Sequence, residues 1–148
     1  LIHSRSYMKA NYNKNYDFFI IVQVTNPLVY SGDIDGVLKL LIEQNLDSCI
    51  SVIKTKSMHS SRLFEMVDGV LKSSSGRSIE FLQRQKIPSN YISNGSCFAT
   101  TNNTLDESLL IGNRCGGFVV ARERYVDIDN EFDLDLARFM FDRLNYDK

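Results

Sequence analysis

The chain has 148 residues, 43% of them apolar and 24% charged, and a formal net charge of −1. That length holds one domain with a sizeable core and is short for two, and the balance is that of a globular chain rather than a disordered one. A charge near zero gives no argument for a nucleic-acid partner, and the longest apolar run, FFIIV, is far below membrane-spanning length.

Leu1 rather than Met opens the chain, and LIHSRSYMKANYN begins mid-pattern without a helix cap, as in a chain that has lost its beginning. Phe18 to Val24 reads as a buried strand, rich in β-branched and aromatic residues. It stops at Thr25-Asn26-Pro27, because Pro cannot continue a ladder. A helix follows, with Ser31 as its cap and Asp33 and Asp35 in the first turn. Ile34, Val37, Leu38, Leu41 and Ile42 give it one apolar face. Cys49 to Ile53 is a second strand, so strand, helix and strand form a βαβ unit, with the parallel pairing and right-handed crossover that this implies.

Between Lys54 and Arg77 the pattern weakens, with a short strand pair around Asp68-Gly69 as its clearest feature. Order resumes after the polar loop KSSSGRS. Asn94-Gly95 reads as a turn into a strand from Ser96 to Thr100, TLDESLL as a short helix, NRCGG as a loop and GFVVARERYVDID as a strand region. Asn130 caps a last helix with Asp133 three residues on, and Phe132, Leu136, Phe139, Met140 and Leu144 form its expected buried face. The three cysteines lie too far apart for a zinc or redox pair. Cys49 and Cys97 read as core and Cys115 as a loop thiol. An odd number without a recognisable secretion signal points to free thiols in a reducing compartment. Two N-x-S/T triplets, at Asn94 and Asn102, are read as chance.

RYVDIDNEFDLDL places an acid at every second position from Asp127 to Asp135. If Tyr125 to Asp129 is a strand end, Asp127 and Asp129 share one face. Two carboxylates so close ionise together only beside a cation, and a hard ion such as Mg²⁺ fits. The competing reading is an acidic helix start that complements the dipole, and spacing alone favours it. An EF-hand loop is excluded: counting from Asp127, Phe132 stands where Gly is needed and Arg138 where Glu is needed.

Three stretches in order resemble the acylneuraminate (CMP-sialic acid) cytidylyltransferases. IVQVTNPLVYSGDI is similar to the family's LQPTSPLR strand and turn with its helix, RQKIPSNYISNGS to RQxxPxxYxxNG, and ARERYVDIDNEFDL to PRERSVDIDTExDL. The resemblance runs from about Tyr16 to the last helix and implies an α/β fold. That fold is three-layer and Rossmann-like, of the nucleotide-diphospho-sugar transferase type, with a mostly parallel sheet flanked by helices. It implies transfer of CMP from CTP to a sialic acid, N-acetylneuraminate, with release of pyrophosphate and with Mg²⁺ as cofactor. A related nonulosonic acid of legionaminic type, or a non-catalytic remnant of the fold, are the alternatives.

Carried over by motif, Asp127 and Asp129 are the metal carboxylates. Gln23 and Gln85 are substrate-binding, and Arg84 approaches the sugar acid's carboxylate. Asn94 lies at the substrate and Gly95 lets the backbone come close to it. The resemblance further implies a homodimer, with about residues 54–95 as the crossing segment, and a cytoplasmic location (nuclear in an animal cell), without nucleic acid or membrane as partners. Val24, Asn26 and Val29 depart from the family's Pro, Ser and Arg, Ile92 from a frequent Arg, and Met58-His59 from a His pair. The glycine-rich opening loop that cradles CTP phosphates has no counterpart, so a single domain over 1–148 is expected to be incomplete at its N-terminus. Read singly, Gln23 is a strand-end residue, Arg84 a surface partner of Glu80, and Arg122 and Arg124 edge charges.

Overall fold

A computed structural model of the chain describes residues 1–55, 63–74 and 89–144. Its packing divides the chain into two units, one of Leu1–Ile53 with Ser93–Lys148 and one of Lys54–Ile92. The elements in chain order are α1 (Ile2–Tyr12), β1 (Phe18–Val22), α2 (Ser31–Glu43), β2 (Ser48–Thr55), β3 (Phe64–Val67) and β4 (Val70–Ser73). They are followed by β5 (Asn90–Thr101), α3 (Asn102–Asp106), β6 (Cys115–Val119) and α4 (Glu131–Arg143). The protein is thus mixed α/β, with an open sheet flanked by helices.

The four-stranded sheet has the order β1-β5-β2-β6. β2 and β6 are parallel, Ser48 facing Cys115 through Val52 facing Val119. β1 and β2 are not neighbours, however, and the simple βαβ pairing expected from the sequence does not form. β5 lies between them and runs antiparallel to β1, Phe18 facing Thr101 through Val22 facing Cys97. The sheet is therefore mixed. β5 can hold that central place because its second half is buried on both faces, a demand that the short, partly exposed β1 does not meet.

α2 covers one face of this sheet. Val37 and Leu41 pack with Cys49, Cys97 and Ala99, and Ile20, Ile34, Leu40 and Phe118 close around them. Gly36 allows that approach: a Cβ there would lie 2.3 Å from the Phe118 ring. Burial pushes the Cys49 and Cys97 thiols up to about 11, with the Cys115 thiol adding to the first shift and Asp33 to the second. Both are core residues, as their strand patterns predict. Cys115 is exposed but belongs to β6 rather than to a loop.

α2 starts one residue earlier than expected. Tyr30 is its cap residue, and the Asp33 carboxylate accepts from the Tyr30 N–H at 2.9 Å. Ile42, placed on the buried face by periodicity, is half exposed. α1 has no buried residue and is held through Arg5, whose Nη1 donates to Asn102 Oδ1 (2.8 Å) and Asp106 Oδ1 (2.6 Å).

α4 is capped as its sequence predicts, the Asp133 N–H donating to Asn130 Oδ1 at 3.1 Å. Its buried face is only partly the predicted one: Met140 and Leu144 belong to it, and Phe132, Leu136 and Phe139 do not. Ala137, Met140, Phe141 and Leu144 pack with Leu28, Val126 and Ile128 in a second small core, while Phe132 is 76% and Phe139 58% exposed. Both helix faces carry apolar residues, so periodicity could not decide between them. The decision came from the loops at Leu28 and Val126, which supply the partner surface.

In the second unit, β3 and β4 form an antiparallel hairpin, Phe64 facing Ser73 and Val67 facing Val70. Asp68 and Gly69 make its two-residue turn with φ of 51° and 78°, the positive pair that a type I′ turn needs. Met66, Val70 and Leu71 are exposed on it.

Candidate functional site

β1 ends at Val22, two residues before the expected stop, because the chain turns there. The Asn26 N–H donates to the Gln23 carbonyl at 3.2 Å. That turn carries Thr25 and Asn26 beyond the sheet end and toward the segment that follows the 3₁₀ turn Arg122–Arg124.

The acidic stretch is not a sheet strand at Tyr125 to Asp129. It is an extended segment held to the turn rather than to another strand. The Ile128 N–H donates to the Thr25 carbonyl at 2.9 Å, and Asn26 Nδ2 donates to Asp127 Oδ1 at 3.0 Å. One backbone bond and one side-chain bond thus replace a ladder. The alternation expected of a strand survives locally: Val126 is buried and Ile128 packs in the second core. Asp127 is half-buried and Asp129 exposed. The Asp129 N–H donates to Asp133 Oδ2 at 3.1 Å, so Asp133 belongs to the helix start, as the sequence reading held.

Asn94 and Gly95 do not form a turn between elements. They lie inside β5, where Gly95 takes φ +77°, a conformation that costs other residues strain. A Cβ on Gly95 would sit 3.1 Å from both Asn26 Nδ2 and Gln23 Oε1. Gly95, Gln23, Asn26 and Asp127 are therefore brought together. Gln23 is exposed there, its N–H donating to the Ser96 carbonyl at 3.2 Å.

Asn94 is 3% exposed, and its Nδ2 donates to Ser96 Oγ at 2.9 Å. Ser96 Oγ in turn meets Ser51 Oγ at 3.0 Å. Ser51 accepts from the Cys97 N–H at 2.9 Å and donates to its carbonyl at 3.1 Å, tying Asn94 into a buried polar chain between β2 and β5. Asn94 Oδ1 and Asn26 Oδ1 are both buried without a hydrogen-bond partner among the described residues. Arg84 and Gln85 lie outside the described residues, as do Met58 and His59.

A residue read as an edge charge turns out to organise the neighbourhood. Arg124 Nη2 donates to Asp33 Oδ1 at 2.8 Å, its Nη1 pairs with Asp33 Oδ2, and Nη1 also reaches the Leu28 carbonyl at 3.5 Å. The guanidinium lies over the Tyr30 ring, 4.4 Å from its centroid. Both partners are nearly buried, with side chains 12% and 7% exposed. The start of α2 is thus clamped to the residue three before Asp127. Arg122 is exposed. Nothing in the sequence separates the two arginines, because Asp33 lies 91 residues away.

At this cluster the carboxylate brought in is that of Asp127. Asp127 accepts one hydrogen bond from Asn26, and a carboxylate offers about four lone-pair sites, so capacity for an ion remains. Among the described residues no three His, Cys, Asp or Glu side chains form a cage. Two carboxylates with water and substrate phosphates are what Mg²⁺ ordinarily takes. Among the described residues no helix is long and apolar enough to cross a membrane. No protein-family model matches the chain.

Proposed function

We propose that this chain carries the metal and sugar side of a CMP-sialic acid cytidylyltransferase. Such an enzyme transfers CMP from CTP to N-acetylneuraminate, or to a nonulosonic acid of legionaminic type, and releases pyrophosphate. The observation that carries the reading is convergence. The three stretches on which the family resemblance rests meet in space through Gln23 and Asn26, Gly95, and Asp127 with Ile128. Chance matches of short motifs give no reason for such a meeting.

In the reaction, the anomeric hydroxyl oxygen bonds to the α-phosphorus of CTP. The bond from that phosphorus to the bridging oxygen breaks, and pyrophosphate leaves with the electron pair while the hydroxyl proton is lost to solvent. Asp127 and Asp129 would hold Mg²⁺, which would supply positive charge to offset that developing on the phosphoryl group. The chain's own contribution is placement. Asn26 fixes one oxygen of Asp127, Arg124 and Asp33 fix the segment in front of it, and Gln23 presents an exposed amide at the sheet end, where open α/β sheets take ligands. Arg84 would meet the sugar's carboxylate as a bidentate donor, with Gln85 beside it, while Asn94, buried and bonded to Ser96, would act by holding the strand that carries Gly95. The exposed apolar residues of the β3–β4 hairpin support a dimerising role for the segment around 54–95.

The test is direct. The full-length product of the coding sequence, given CTP, Mg²⁺ and N-acetylneuraminate, should release pyrophosphate and form the CMP-sugar. A folded protein that releases none with either sugar acid would reject the enzyme reading and favour the non-catalytic remnant.

A further inference from the structure

We infer that Asn26 is the positioning residue of the Asp127 carboxylate, and that Gly95 is glycine to make room for it. The inference deepens the proposed function and rests on the reading that Asp127 holds the divalent cation. Asn26 is 2% exposed and stands on a turn 101 residues before its partner. Its Nδ2 donates to Asp127 Oδ1 at 3.0 Å and reaches Thr25 Oγ1 at 3.5 Å. Its Oδ1 has no donor among the described residues.

A buried amide that uses its donor and strands its acceptor is costly. An apolar residue of the same shape would avoid that cost, so stability alone does not account for an amide here. The single charge-assisted contact does: it fixes which Asp127 oxygen is engaged and leaves the other lone pairs for the cation. Gly95 belongs to the same device. Its positive φ and the 3.1 Å approach of its absent Cβ to Asn26 Nδ2 and Gln23 Oε1 show that a side chain there would push on the amides. Gly95 thus serves the site by yielding to Asn26, besides any approach of its backbone to a ligand.

The experiment uses the chain as it stands and Mn²⁺ alone as the probe, with free ion read by electron paramagnetic resonance and folding by thermal melts. Asn26→Leu keeps the shape and deletes donor and acceptor; Asn26→Ala deletes both and leaves a cavity. Both should weaken Mn²⁺ binding by about tenfold, the loss typical when the partner of a metal ligand is removed. The melts should differ, with Leu close to wild type and Ala lower. Equal loss of affinity despite unequal melting supports positioning. Affinity that follows the melting temperature, or wild-type binding in both variants while Asp127→Asn binds poorly, overturns the role of Asn26. Wild-type binding in Asp127→Asn rejects instead the metal reading on which the inference rests.

Discussion

Replacing Arg124 with Met removes the guanidinium from the Asp33 carboxylate while keeping much of the aliphatic stem. With side chains only 12% and 7% exposed, the pair behaves as a buried one, and breaking such a pair costs about 3–5 kcal/mol because a charge is left without compensation. Asp33 keeps the Tyr30 N–H at 2.9 Å and its place at the start of α2, an interaction with the helix dipole of about 0.3–1 kcal/mol. The expected cost is therefore at the low end, about 3 kcal/mol, which for a domain of this size lowers the melting temperature by about 10 °C. The double variant Arg124→Met with Asp33→Asn leaves no orphan charge and should cost much less than the two single changes together. Urea unfolding followed by circular dichroism measures all four corners of the cycle. A loss below about 1 kcal/mol for Arg124→Met, the size of an exposed pair, or single costs that simply add, would refute the reasoning.

Gly95→Ala should cost about 1–3 kcal/mol in urea unfolding, from the backbone strain of φ +77° and the 3.1 Å contacts with Asn26 and Gln23, and it should weaken Mn²⁺ binding as the Asn26 variants do. Phe132→Ser and Phe139→Ser should each change stability by no more than about 0.5 kcal/mol, because these rings are exposed; a loss of about 3 kcal/mol or more, as for a core aromatic, would restore the buried face predicted from periodicity. A thiol reagent should modify Cys115 in the native protein and reach Cys49 and Cys97 only on unfolding. Those two thiols ionise near 9.0 when unfolded and at about 11 when folded, so the unfolded chain binds fewer protons in that interval. Stability should hold below about pH 9 and fall as pH rises toward about 11, and replacing both cysteines by Ala should flatten that fall.

Much of the α/β class was legible from local pattern. The FFIIV strand, the α2 stripe of Val37 and Leu41, the Asp68-Gly69 hairpin and the Asn130 cap each follow from interactions within a few residues, where spacing and side-chain type are the physics. That Asp127 and Asp129 share one face is an expectation of the same kind, since alternation along an extended segment depends only on backbone geometry. Arg84 and Gln85 rest on the motif alone, as they lie outside the described residues.

Only the tertiary structure decided the insertion of β5 between β1 and β2, because strand order depends on which surfaces can be covered on both sides, and no local pattern records that. The same holds for the helix α4, whose two apolar faces compete until Leu28 and Val126 favour one. Asn26 and Arg124 found their partners, Asp127 and Asp33, about ninety to a hundred residues away. Side-chain type states what bond such a residue can make, and the path of the chain states with whom. The sequence therefore determined the chemistry available at this site, and the fold determined which carboxylate is held and which arginine does the clamping.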